Sequence, residues 1–83
     1  MIKLKIINAG GIKCKNQPED MNLISIIHKI RNDNGKVIKT IGIFEKVDKS
    51  YYWAAPIVDK RTHDIGMPFV NYADALEGAK NYA

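Results

Sequence analysis

Six residues of this chain have types and spacings that could do chemistry together: Lys29, Arg31, Phe44, Lys46, Tyr51 and Trp53. Rings interleaved with cations on an open sheet suit single-stranded RNA or DNA. Bases stack on the rings for roughly 1–3 kcal/mol each, and the cations meet phosphates. The same six would also form a contact face for a protein partner. The competing reading is a core or a dimer interface, where aromatic rings most often go.

The remaining reactive residues do not assemble into a recognisable site. Cys14 is the single cysteine, so it makes neither an internal disulfide nor a metal cluster. Lys13 and Lys15 flank it and would lower its pKa if their charges reached the sulfur. His28 falls in an isoleucine-rich run and reads as a hydrogen-bonded, partly buried histidine. His63-Asp64 has the types of half a catalytic pair. Neighbours inside a turn point apart, however, and no Ser or Cys is placed to join them. The carboxylates are scattered, without the pairing that acid–base chemistry uses. Gly10-Gly11 follows a strand-like run, but neither the helix nor the Lys-Ser/Thr of a phosphate loop comes after it. These absences argue against an enzyme, and no cofactor or metal is expected.

With 83 residues the chain is read as one domain, residues 1–83. A domain of this size buries only roughly 60% of its unfolded-chain surface, so a partner or a second copy could supply the missing burial. At 46% hydrophobic and 27% charged it is neither disordered nor membrane-spanning. No apolar run approaches the ~18 residues of a bilayer span. Met1 to Lys5 alternates polar and apolar residues, unlike a secretory leader, so the chain reads as cytoplasmic. The net charge of +4 favours an anionic partner. Residues 1–65 hold twelve Lys/Arg against seven acids, which assigns the basic character to the sheet. Thirteen Ile, eleven Lys and seven Asn give the composition of an AT-rich genome, shared by many small phage proteins.

The elements follow from periodicity. Ile2 to Asn8 is a strand, ended by Ala9-Gly10-Gly11. Residues 12–20 are a polar loop containing Pro18. Leu23 to Asn32 fits either a helix or a strand; its four isoleucines in seven positions favour the strand. Asn34-Gly35 then predicts a two-residue type I′ hairpin. In that register Asp33 pairs with Lys36, Ile30 with Lys39, His28 with Ile41 and Ile26 with Ile43. The alternate pairs are Arg31–Ile38, Lys29–Thr40 and Ile27–Gly42. One face collects Ile26, Ile30, Val37, Ile41 and Ile43; the other collects Lys29, Arg31 and Thr40.

Ile41 to Lys46 continues this third strand. Tyr51 to Val58 is a fourth, with Pro56 marking an edge or an end. A loop at Asp48-Lys49 pairs Phe44 with Trp53 and Lys46 with Tyr51, placing them on the Lys29/Arg31/Thr40 face. A turn one residue longer would send Trp53 inward. Asp59 to Gly66 is a polar connection, and Ile65 to Phe69 is a short extended piece. Asn71 caps a C-terminal helix, with Asp74 three residues on. Its apolar stripe is Tyr72, Ala75, Leu76, Ala79 and Tyr82, and Gly78 costs it about 1 kcal/mol. The helix is too short to stand alone and must dock on the sheet.

The run from Tyr51 to Ala83 is an aromatic strand, a turn, a Phe and a helix opening Asn71-Tyr72-Ala73-Asp74-Ala75-Leu76. It resembles the strand-then-helix close of the double-stranded RNA-binding fold. That fold's leading helix and basic loop have no counterpart here, and no residue role is carried over. The expected fold is therefore α+β: an antiparallel meander of about four strands with one C-terminal helix on one face. The expected function is that of a small binding or regulatory protein, for example a phage-encoded factor that blocks a host protein in the host cytoplasm. The alternatives are a binder of RNA or single-stranded DNA and a structural homodimer.

Overall fold

A computed structural model describes residues 2–10, 12–31, 33–63 and 68–81. Five strands form an antiparallel meander in the order β1-β2-β3-β4-β5, and one helix follows. The strands are β1 (Ile2–Asn8), β2 (Met21–Arg31), β3 (Val37–Lys46), β4 (Tyr52–Val58) and β5 (Arg61–Thr62). The helix α1 spans Tyr72–Lys80 and packs on β3 and β4. The ambiguous Leu23–Asn32 run is thus strand through Arg31. Asn32 itself, Asp64–Met67 and Tyr82 lie outside the described residues.

The first hairpin differs from its expected register. Asn34-Gly35 does not form a two-residue turn. Gly35 is left-handed at φ 68, but Asn34 is not, and a type I′ loop needs both. The loop instead closes on Arg31 and Lys36: the Arg31 amide donates to the Lys36 carbonyl at 2.9 Å, and the Gly35 amide donates to the Arg31 carbonyl at 2.8 Å. Asn34 Oδ1 accepts from the Lys36 amide at 2.9 Å, which supplies a side-chain route to the same turn. The two strands are consequently shifted by one. Ile27 faces Ile41, His28 faces Thr40 and Lys29 faces Lys39.

Two irregularities accompany the shift, between Leu23 and Ser25 and between Lys29 and Ile30. The first works as a β-bulge that changes which face the odd residues of β2 take. Met21 and Leu23 pack on one side of the sheet with Phe44 and Ala55. Ile27 packs on the other side with Ile41, Ile43, Ala54, Ala75 and Ala79, beneath α1. The expected isoleucine face is therefore right for Ile41 and Ile43, but not for exposed Val37, which the second irregularity sets opposite Ile30, and it is wrong for β2, where Ile27 replaces Ile26.

The second hairpin has the expected register: Phe44 faces Trp53 and Glu45 faces Tyr52, and the Lys46 amide donates to the Tyr51 carbonyl at 3.1 Å. Lys49 takes the left-handed position at φ 63. Beyond β4 the polar connection holds an unexpected strand. Val58 pairs with Arg61, and Asp59 and Lys60 between them are both left-handed, at φ 52 and 63. A two-residue turn of the I′ kind thus occurs here, without the Asn-Gly that announces one. Phe69 bridges to Tyr52 through paired backbone bonds of 2.8 Å.

Asn71 caps α1 as its residue type predicts, accepting from the Asp74 amide at 2.8 Å. Tyr72, Ala75, Leu76 and Ala79 meet the sheet. Tyr72 also places its hydroxyl 3.0 Å from Ser25 Oγ, a polar contact for a buried serine. Gly78 is more than a weak point in the helix. An added Cβ would stand 2.5 Å from Phe69 Cζ, so the missing side chain is the space the ring fills.

Candidate docking site

Four of the six expected site residues lie at the β3–β4 end of the sheet, on the face opposite α1. Phe44 and Trp53 are direct cross-strand partners, with ring centroids 5.2 Å apart and planes tilted by 42°. Phe44 is 0% exposed, so it belongs to the core and cannot stack a ligand. Trp53 and Tyr51 pack against the same cluster but remain half-buried. Lys46 Nζ sits 5.4 Å from the centre of the Tyr51 ring and 3.8 Å from Asp48 Oδ2. Hydrogen bonds from Ser50, and then the charge of Lys46, hold the Asp48 carboxyl below the usual carboxylate range.

Lys29 and Arg31 do not join them, which corrects the expectation of one continuous face. Lys29 pairs with Leu4, and Leu4 packs in the cluster beneath α1. Directly opposite residues share a face, so Lys29 leaves from the helix side, as does Arg31 two residues on. Arg31 is engaged with Asp33 through Nη2 at 3.1 Å and Nε at 3.3 Å. The one-residue shift of the first hairpin is the physical cause. Thr40 keeps its place on the Phe44 side, but His28 now stands beside it instead of Lys29.

Tyr51 and Trp53 also line a pocket of about 180 Å³ with Pro18, Met21 and Pro68. Sequence reasoning missed this pocket because its wall comes from the loop before β2. The amide of Met21 bonds the Pro18 carbonyl and Gln17 Nε2 bonds the Met21 carbonyl, so the loop turns directly into the strand. Two rings, a thioether and two prolines make it apolar, and Lys46 next to Tyr51 provides a cation at its side.

The other candidates resolve simply. His28 is half-buried, with Nδ1 2.9 Å from Thr40 Oγ1. Burial pushes the Cys14 thiol up, opposite to the shift that activation by the flanking lysines would bring. His63 is exposed, and its expected partner Asp64 lies outside the described residues. No group of three or more His, Cys, Asp or Glu that could hold a metal occurs among the described residues. No helix there is long and apolar enough to cross a membrane. Set against family models, curated proteins and solved structures, the chain matches none. Any reading of function therefore stands on the geometry alone.

Proposed function

We propose that the chain is a small non-enzymatic regulatory protein that docks on a protein partner and acts by occupying its surface. The observation that carries this reading is the pairing of half-buried Tyr51 and Trp53 around an apolar pocket, with Lys46 beside them. Tyr and Trp are the residues that most often dominate binding energy, because a fixed ring buries much area at little entropic cost. Rings already held by Phe44 and the sheet are pre-organised for a contact, which reduces the ordering cost of association. An inhibitor of a host protein is the form such a factor would take if phage-encoded.

Binding of single-stranded RNA or DNA is the second reading, favoured by the Lys46–Tyr51 contact. It is weakened by the burial of Phe44 and by Lys29 and Arg31 leaving from the other face. A homodimer through the same patch is the third. The test is parallel capture from cell extract with the natural chain, a Tyr51→Ala/Trp53→Ala chain and a Lys36→Ala control. The proposal expects proteins held by the natural and control chains and released by the double variant. Identical capture by all three would contradict it. Capture of nucleic acid that disappears at raised salt would favour the second reading instead.

A further inference from the structure

A second concavity lies on the same face as Trp53, toward the other end of the sheet, and has a different chemistry. It measures about 530 Å³, within the ordinary range of small-molecule sites. Ile26, Ile57 and Ile12 give it aliphatic walls. His28 and Thr40, bonded to each other, place polar atoms among them. Fixing Nδ1 on Thr40 leaves Nε2 as the ring's remaining hydrogen-bonding atom. Lys13 and Lys60 line it as exposed cations, with Asp59 the one acid among the described lining residues. Lys5 is paired with His28 across β1–β2 and so leaves from the same face.

The wall is held in place. The Lys15 amide donates to the Lys60 carbonyl at 2.8 Å, and the Thr62 amide donates to the Lys15 carbonyl at 2.9 Å. Buried Thr62 adds a hydroxyl bond to the same carbonyl at 3.2 Å. The loop before β2 is thereby tied to the β4–β5 turn. In that turn two consecutive non-glycine residues, Asp59 and Lys60, hold left-handed backbone, a conformation that persists only where the surroundings enforce it. Strain and clamp coincide at the residues that carry the rim charge.

We infer that this groove binds a small amphipathic anion: an aliphatic body on Ile12, Ile26 and Ile57, with a carboxylate met by Lys13, Lys60 and His28. The site is distinct from the Tyr51–Trp53 patch, so it stands or falls separately from the docking proposal. The test uses octanoate as probe, with octylammonium and octanol as matched controls, followed by NMR of the isoleucine methyls. Saturable shifts of Ile26 and Ile57 with octanoate, at least roughly tenfold weaker for both controls, are expected from a charge-assisted contact. Occupancy also slows alkylation of Cys14, which lines the same groove. The Lys13→Gln/Lys60→Gln variant changes two exposed side chains, so its fold is retained, and it should lose the preference for octanoate over octanol. Equal response to all three probes, shifts spread over the whole surface, or no shift at all would overturn the inference.

Discussion

At the scale of single residues, environment rather than identity decides reactivity. Cys14 lies between two lysines in sequence, yet burial pushes its thiol up. Alkylation at neutral pH should therefore be slower than for free cysteine and should climb only in alkaline solution; a pH–rate profile with iodoacetamide measures this. Tyr52 is moved in the same direction by the Glu45 carboxylate opposite it, with burial adding to the effect. Gly78 shows the same lesson in packing. Helix propensity alone makes Gly78→Ala stabilising by about 1 kcal/mol. With Phe69 Cζ 2.5 Å from the new Cβ, the change should instead destabilise by roughly 1–3 kcal/mol, read from chemical denaturation. That contact was not legible in the sequence, because Phe69 and Gly78 are nine positions apart on different elements. The cap was: Asn71 before an apolar stripe names its own role, and Asn71→Ala should cost about 1 kcal/mol.

At the scale of elements, the turns set everything that the faces then display. Strands β1, β3 and β4 and helix α1 were readable from periodicity, and so was the Phe44–Trp53 register. The first hairpin was not, although Asn34-Gly35 is a strong local signal. The loop closes between Arg31 and Lys36, with Asn34 Oδ1 accepting from the Lys36 amide, and the side chains of β2 change their β3 neighbours. This separates Lys29 and Arg31 from the rings and sets His28 beside Thr40. The fifth strand escaped notice for the opposite reason: its turn uses Asp59-Lys60, where aspartate tolerates left-handed backbone but the lysine in the glycine position does not announce it. Replacing the pair by Asn-Gly should stabilise the chain by roughly 0.4–1 kcal/mol, since the strain would be relieved, and thermal unfolding would show it.

At the scale of the whole molecule, one sheet carries two different surfaces. The side beneath α1 is a core of Ile27, Ile41, Ile43, Ala54, Ala75 and Ala79. The opposite side has its own small core around Phe44, closed partly by the loop before β2 and left open at Trp53. In so small a domain neither cluster is dispensable. Phe44→Ala should cost roughly 3–5 kcal/mol, close to the whole stability of many domains, and denaturation should find it largely unfolded. Trp53 is half-buried where Phe44 is fully buried, so Trp53→Ala should cost less stability than Phe44→Ala, and its loss of binding is read on the fraction that denaturation shows to be folded. This difference separates a docking surface from a second core. The most direct measurement is photo-crosslinking in cell extract, with p-benzoylphenylalanine placed at Trp53 in one chain and at Lys36 in another. The docking account predicts a discrete protein adduct from position 53 and none from position 36. No adduct at 53, or the same adducts from both positions, would contradict it.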